Sequence, residues 1–273
     1  SVIDVATGRE MLWCADPTVW NRHAPILFPY AGKLTGGHFL AEDGRVYEGG
    51  QHGFARDLEH RLVSQTANEL TFELTSGEET YAYFPYDFAL RSTYTLEGRR
   101  ISHSVAVRNT GKGTLRFGFG YHPGFALPFD DAHTAEDYDV VFDTIESPLC
   151  LNTAPNGLVC ASPDYYLARN VDRIPLSAKL FAHDSHCMVN LKSKTMAVVE
   201  RDTGRRIVVD IADFPYTLIW STPQEPMRFI CIEPWHSIPS EDNGPIEWEK
   251  KPCAASLAPN EMWQTTLNMT FER

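Results

Sequence analysis

Two ionisable residues of this chain each stand directly before a proline at the end of an apolar run, His122 before Pro123 and Glu233 before Pro234. A residue before proline is driven out of the helical region into extended backbone, so we expect both side chains to be held stiffly at strand ends. A carboxylate and an imidazole held in this way are suited to positioned proton transfer, one as a base and the other as an acid.

Alternation in the segment 228–233 places Phe229, Cys231 and Glu233 on one face of a strand. A carboxylate beside apolar neighbours is costly unless it has a partner. A structural ion pair at the sheet end is the simpler interpretation of Glu233. Trp235, which follows closely, favours a functional one, because an indole beside a carboxylate offers an apolar face to a sugar ring. We therefore predict that Glu233 is functional and that Trp235 contacts the substrate.

His122 ends an alternating run in which Gly118 and Gly120 lie on the same face as the histidine. Glycine weakens a strand unless a ligand or another backbone must approach closely. An isolated histidine is more often a core residue that bonds a backbone carbonyl, so the residue alone is a weak signal. The two glycines favour a functional His122 at the rim of an open floor.

The motif Gln51-His52-Gly53-Phe54-Ala55-Arg56 adds a second imidazole and a guanidinium, with Gly53 favouring a tight turn between them. Arg56 can simply pair with Asp57 or Glu59 at the surface. Alternatively, its planar fork can hold two oxygens of a polyol or a phosphate, which lysine does less well. We predict that His52 and Arg56 bind the substrate.

Other chemistry is disfavoured by spacing. The run His183-Asp184-Ser185-His186 invites a metal interpretation, but no nearby ligands complete a tetrahedral set. The chain has no Gly-x-Ser-x-Gly elbow, no Walker loop and no Gly-x-Gly-x-x-Gly motif between a strand and a helix. The sequence therefore predicts no metal and no nucleotide cofactor.

Strands are predicted to dominate, because many segments alternate with a period of two and none keeps a helical period for three turns. The 18 prolines and 18 glycines would interrupt most helices. We predict an all-β fold with little helix, and binding loops at 123–139 and 148–180. The predicted strands are 70–75, 88–96, 101–107, 115–121, 140–145, 195–200, 206–211, 216–221, 228–233 and 263–271.

The length and net charge of the chain limit the functions that it can have. A chain of 273 residues fits one all-β domain. A net charge of −12, with 36 acidic and 24 basic residues, disfavours nucleic acid as a partner. No segment is apolar enough to span a membrane, and no secretory signal is visible at the start. The six cysteines lack a Cys-x-x-Cys spacing, so we expect a reducing, cytoplasmic setting.

The chain resembles the aldose 1-epimerase (mutarotase) family over nearly its whole length. The segments that carry the resemblance occur in the family's order. They are Trp20-Asn21-Arg22-His23-Ala24-Pro25-Ile26-Leu27-Phe28-Pro29, Gln51-His52-Gly53-Phe54-Ala55-Arg56, Tyr121-His122-Pro123-Gly124-Phe125 and Cys231-Ile232-Glu233-Pro234-Trp235.

The resemblance implies a large antiparallel β-supersandwich, as in galactose mutarotase, formed by one domain over residues 1–273 that begins one or two strands late. It implies that Glu233 is the base, His122 the acid, and His52 and Arg56 the substrate-holding groups. Asp184 matches an aspartate that binds sugar hydroxyls in many members. The implied reaction interconverts the α and β anomers of a hexose without a cofactor, in a monomer or a homodimer.

Three alternatives stay open. A mutarotase of hexose 6-phosphates would need Arg22, Lys33 or Arg56 close to the cleft. A non-catalytic carbohydrate-binding protein would keep Trp235 but would not need both Glu233 and His122. A glycoside hydrolase would need two carboxylates that flank the bond, and only one is prominent here.

Overall fold

The structure is a computed structural model that describes residues 1–153 and 155–273. Strands account for most of its regular structure. They are β1 (Ile3–Asp4), β2 (Arg9–Glu10), β3 (Ile26–Leu27), β4 (His38–Leu40), β5 (Val46–Glu48), β6 (Arg61–Gln65), β7 (Glu69–Thr75), β8 (Phe88–Glu97), β9 (Arg100–Asn109), β10 (Leu115–Phe117), β11 (Gly120–Tyr121), β12 (Gly124–Ala126), β13 (Tyr138–Glu146), β14 (Leu149–Leu151), β15 (Tyr165–Tyr166), β16 (Val171–Pro175), β17 (His186–Val189), β18 (Thr195–Glu200), β19 (Arg206–Asp210), β20 (Tyr216–Trp220), β21 (Phe229–Trp235), β22 (Ala255–Leu257) and β23 (Met262–Glu272).

Helix is scarce, as the sequence predicts. The α-helix α1 (Glu78–Tyr81) is a single turn. Short 3-10 helices span Thr35–Gly37, Ala55–Asp57, Ala135–Asp137, Ala178–Phe181 and Trp248–Lys250. Among the described residues, no helix is long and apolar enough to cross a membrane.

Two large antiparallel sheets form the frame of the molecule. One has nine strands in the described chain, in the order β16-β13-β18-β19-β23-β9-β8-β7-β6. The other follows the order β15-β14-β17-β20-β21-β11-β3, with β12 also paired to β21. The pairs β1-β2, β4-β5 and β10-β22 form small separate ribbons. The all-β, antiparallel prediction is confirmed.

The main core lies between the two large sheets. Leu90 and Val105 on the nine-stranded sheet belong to the same buried cluster as Phe125, Ile230 and Ile232 on the other. Because side chains alternate along a strand, the neighbours of the two isoleucines on β21 point to the opposite face. The face of β21 that carries Cys231, Glu233 and Trp235 is therefore the outer face of its sheet.

The long strands match their predicted segments closely. Strand β23 shows the predicted alternation, with Leu267 and Met269 buried and Thr266, Asn268 and Thr270 half-buried. The predicted strand at 115–121 is wrong as a single element. It divides at Gly118 into β10 and β11, which pair in different sheets. The segment 148–180 is also not a simple loop, because it contributes the short strands β14, β15 and β16.

Candidate active site

Glu233 lies inside β21 and not at the end of a strand, because β21 continues through Pro234 to Trp235. On one side the strand pairs continuously with β20, with Leu218 opposite Glu233. On the other side it pairs with β11 and then with β12, and the two ladders leave a gap at Ile232, Glu233 and Pro234. Proline has no N–H to donate to a β-ladder, so a strand can include a proline where its ladder is interrupted.

His122 occupies this gap. The pairs Gly120 with Trp235 and Gly124 with Cys231 bracket it on the same antiparallel register, which places His122 opposite Glu233. Opposite residues on one sheet face lie within contact distance. The His122 Nε2 and Glu233 Oε2 atoms are 3.3 Å apart. The two predicted catalytic groups thus meet as cross-strand neighbours.

The glycines before His122 make room for protein side chains. A Cβ at Gly120 would lie 2.5 Å from Trp235 Cδ1, and one at Gly118 would lie 2.3 Å from Ser237 Oγ. The interpretation that these glycines leave an open floor for a ligand is therefore wrong. The close approach that they permit is that of Trp235 and Ser237 to β11.

Trp235 is only 3% exposed. Its Nε1–H donates to the Tyr121 carbonyl at 3.2 Å, and its ring meets the edge of His52 at a centroid distance of 5.5 Å. The indole lines the cavity beside Glu233 but packs chiefly against the sheet and His52. Its predicted contact with substrate stays a prediction.

His52 is held by a tight turn. Its φ is +70°, and that of Gly53 is +67°. A Cβ at Gly53 would lie 2.1 Å from the Phe28 carbonyl oxygen, so only glycine fits there. The Gly32 N–H donates to His52 Nδ1 at 3.0 Å. That bond makes Nδ1 an acceptor, so Nε2 carries the proton and can donate to a ligand.

Arg56 lies at the wall of the same cavity. Its Nη2 donates to the Gln51 carbonyl at 2.7 Å, while its Nε is buried and has no hydrogen-bond partner among the described residues. Asp57 lies 3.7 Å from that Nε and pairs more closely with Arg22, at 2.6 Å. Arg56 therefore keeps a contact with Asp57 and also lines the cavity, while its role in binding substrate stays a prediction.

Asp184 also lines the cavity, on a turn where its φ is +81°. His186, in the same segment, has a structural role. His186 is buried and bonds the Tyr165 hydroxyl and the Leu180 carbonyl, both at 2.7 Å, so both ring nitrogens are used by the protein. Asp184 and its neighbour Ser185 are the members of this run that line the cavity.

Two site residues were missed by the sequence reasoning, Trp20 and Trp220. Both are half-buried and line the cavity. Trp20 stacks on His122 with ring centroids 5.0 Å apart, and Trp220 meets His122 edge-on at 5.7 Å. Trp20 stands in one of the quoted motifs, so its position there was an available signal, whereas Trp220 ends an ordinary apolar strand and gave none.

Burial changes the protonation of the central pair. It raises the pKa of Glu233 well above its usual value, and the nearby Asp184 charge adds to this effect. Burial also lowers the pKa of His122 to about 3, with the Arg56 charge acting in the same direction. His52 is likewise held neutral, since burial and then the charge of His122 lower its pKa well below the usual value. The neutral pair, with the proton on Glu233, is therefore favoured in the protein alone.

Two groups of side chains in the described residues have metal-ligand types close together. One is His122, Cys231 and Glu233, whose ligand atoms lie within 4.8 Å of one another. The other is Asp130, His133 and Glu200. Arg205 forms ion pairs with both carboxylates of the second group, so its guanidinium already neutralises them. The first group coincides with the acid–base pair, for which we predict proton transfer without a metal.

The cavity that these residues line has a volume of about 330 Å³. This size lies at the small end of the range for small-molecule sites, roughly 300–1,000 Å³. It offers an acid–base pair at its floor, indoles on its wall, and donors and acceptors from His52, Arg56 and Asp184. Such an arrangement can move protons on a compact polyhydroxy ligand.

Comparisons with known proteins agree on one family. The family model of aldose 1-epimerase matches residues 3–270. The chromosomal protein LacX of Lactococcus lactis subsp. lactis is 32% identical over 271 residues, which cover 97% of this chain and 90% of the relative.

Solved structures give the same picture. The galactose mutarotase related enzyme of Lactobacillus acidophilus superposes with a TM-score of 0.91 at 29% identity, covering 98% of this chain and 88% of the other. A galactose mutarotase-like protein of Lactobacillus casei superposes with a TM-score of 0.87 at 26% identity, covering 99% and 92%.

Proposed function

Since the chain belongs to the aldose 1-epimerase family, its activity is the interconversion of the anomers of an aldose, and we propose that Glu233 and His122 carry this out on a hexose. The observation that supports this assignment is the 3.3 Å contact between His122 Nε2 and Glu233 Oε2 at the floor of the cavity. The reaction needs one base and one acid on the same substrate, and this pair supplies both.

The proposed reaction starts from a carboxylate and an imidazolium. Glu233 takes the proton of the anomeric hydroxyl, His122 delivers a proton to the ring oxygen, and the bond between C1 and the ring oxygen breaks. The open-chain aldehyde turns about C1–C2, and the reverse transfers close the ring on the other face. Each positioned proton transfer is worth roughly 10²–10⁴ in rate.

The protonation state that burial favours and the one that starts the reaction differ in which of the two residues carries a single proton. Burial favours protonated Glu233 and neutral His122. Moving that proton across the contact gives the carboxylate and the imidazolium that start the reaction. The neutral pair is also the state left after ring opening, so the first step takes no proton from solvent.

We propose that His52, Arg56, Asp184 and Trp235 hold the sugar while C1 turns over. His52 offers an N–H, Arg56 a fork, and Asp184 an acceptor for hydroxyl groups. Holding the ring in register matters, because a misplaced reacting atom loses much of the benefit of proximity.

The experiment is NMR exchange spectroscopy on the α and β anomeric protons of glucose and of galactose, with and without the protein. Faster exchange on either sugar supports the mutarotase. Line broadening or shifts from binding, without faster exchange on any aldose tested, would favour the non-catalytic carbohydrate-binding protein instead.

A hexose 6-phosphate is the second candidate substrate. The charges of Arg56, Lys33 and Arg22 all act on His52, so three cationic side chains gather near the cavity of a protein whose net charge is −12. The Lys33 ammonium bonds the Asn156 carbonyl at 2.7 Å. A dianion would be attracted to such a cluster. The same NMR experiment on glucose 6-phosphate, with the ratio of kcat/KM to that for glucose, decides between the two.

We further propose that the reaction uses no cofactor, that the protein acts as a monomer or a homodimer, and that it works in the cytoplasm. The six cysteines are free thiols, which a reducing compartment preserves.

A further inference from the structure

The ring of His122 has few polar contacts to fix its orientation. Its Nε2 faces Glu233 at 3.3 Å. Its Nδ1 is buried and has no hydrogen-bond partner in the described part of the chain. A functional histidine is usually oriented by a bond from its second nitrogen to a carboxylate or a carbonyl. His122 lacks this device, so something else must hold the ring.

Aromatic rings enclose His122 instead. Trp20 stacks on it, with an interplanar angle of 28° and centroids 5.0 Å apart. His52 meets it edge-on at 5.6 Å, and Trp220 meets it edge-on at 5.7 Å. Trp20 thus covers a face of the imidazole, while the other two rings contact it at an angle.

Trp20 is itself firmly placed. It stacks on Phe229 at 5.3 Å with an interplanar angle of 19°, and it meets Trp220 edge-on at 5.4 Å. The Trp13 Nε1–H donates to the Trp20 carbonyl at 2.7 Å. A Cβ at Gly124 would lie 2.7 Å from Trp20 Cζ3, so the glycine two residues after His122 makes room for this indole.

The face of an indole favours a positive charge placed over it, and the effect is largest where water is excluded. His122 becomes cationic in the proposed reaction, in a buried place where Arg56 opposes that charge. The other titratable groups near the ring are Glu233, whose carboxylate favours the cation, neutral His52, and the Cys231 thiol, whose pKa burial raises well above its usual value.

We infer that Trp20 is the positioning residue of His122: its indole holds the imidazole towards Glu233 and stabilises the ring while it carries positive charge. The inference rests on the proposed function for its kinetic consequence but not for the contact itself. It predicts that Trp20 acts mainly on the chemical step.

The test compares Trp20→Leu, which removes the ring face, with Trp20→Phe, which keeps a weaker one. We expect kcat of Trp20→Leu to fall about tenfold and that of Trp20→Phe two- to threefold, with KM changed less than kcat. Trp220→Leu is the comparison variant, because it removes an indole of the same cluster that meets His122 at a steep angle and does not stack on it. Its kcat should fall less than that of Trp20→Leu. A Trp20→Leu variant with raised KM and unchanged kcat would make Trp20 a substrate contact and overturn the inference.

A second readout needs no turnover. NMR of the protein with ¹⁵N-labelled histidine follows the titration of His122 directly. Loss of the indole face should lower the pKa of His122 further in Trp20→Leu than in Trp20→Phe or Trp220→Leu. If Trp20→Leu does not fold, the comparison of Trp20→Phe with wild type decides, and an unchanged titration and unchanged kcat would overturn the inference.

The two measurements distinguish a failure of the proposed function from a failure of the positioning role of Trp20. If the wild type does not accelerate anomeric exchange, the proposed function fails while the titration still reports on the Trp20 contact. If the wild type is active and the Trp20 variants leave both kcat and the titration unchanged, only the positioning role fails.

Discussion

His122 and Glu233 stand opposite each other in a gap of the β-ladder between β21 and its neighbours β11 and β12. The paired positions on either side of the gap fix their register, and the resulting contact between Nε2 and Oε2 is 3.3 Å. The proposed acid–base pair is therefore positioned by the register of paired strands. Groups on such elements keep a productive geometry better than groups on loops.

His122→Asn should remove the proton donor while keeping a polar group of similar reach. We expect kcat to fall by roughly 10²–10⁴, the usual value of one positioned acid, with a smaller effect on KM. Polarimetry on freshly dissolved sugar measures both constants. His38→Asn, at a histidine of β4 outside the cavity, is the control. Wild-type turnover in His122→Asn would show that His122 is not the acid.

Glu233→Gln should change stability in a pH-dependent way. The pKa of Glu233 is raised in the folded protein by burial, so folding favours its protonated form. That contribution is fully present below the unfolded pKa and is lost as pH rises through the folded pKa. Glutamine has no proton to lose. Thermal unfolding should therefore show the stability of Glu233→Gln rising relative to that of wild type as the pH increases above about 4.3, the ordinary pKa of a glutamate. A difference in stability that stays constant with pH would contradict the raised pKa.

Gly120→Ala should disturb the floor of the site. Its Cβ would lie 2.5 Å from Trp235 Cδ1, and Trp235 in turn contacts His52. Overpacking of this kind costs typically 1–3 kcal/mol. Gly113→Ala is the matched control, because nothing lies within 4 Å of its Cβ. Chemical denaturation of both variants measures the difference, and equal stability would show that the Trp235 packing yields without cost.

Arg56→Ala should weaken binding more than chemistry, because in the proposed mechanism the guanidinium holds substrate and takes no part in proton transfer. We expect KM to rise about tenfold with kcat changed less than threefold. Arg56→Lys tests whether charge alone suffices, since lysine lacks the planar fork. Arg91→Ala, at an exposed arginine paired with Glu73, controls for loss of a positive charge. An unchanged KM in Arg56→Ala would remove Arg56 from the holding set.

Much of the frame was readable in the sequence, because long half-buried strands such as β8, β9 and β23 carry a clear period of two. The short strands β3, β11 and β12, which surround His122, have two or three residues each and too few side chains to show a period. The break at Gly118 was missed for the same reason. What divides β10 from β11 is pairing with different sheets, a long-range property that local alternation does not contain.

Site residues were predictable from the sequence where a local motif constrains the backbone. The two X-Pro pairs and the turn at Gly53 pointed to His122, Glu233 and His52. Their mutual geometry was not predictable, since the opposition of His122 and Glu233 depends on the register of distant segments. The purpose of Gly120 was misread for a related reason: its neighbour Trp235 comes from β21, more than a hundred positions along the chain.

The measurement that tests the account most directly is anomeric exchange by NMR saturation transfer, on wild type and on Glu233→Gln at equal concentration, with glucose, galactose and glucose 6-phosphate. The account predicts that the wild type accelerates exchange on at least one of these sugars and that Glu233→Gln, folded and still able to bind, loses roughly 10²–10⁴ of that acceleration. Wild-type exchange rates in Glu233→Gln would contradict the assignment of Glu233 as the base.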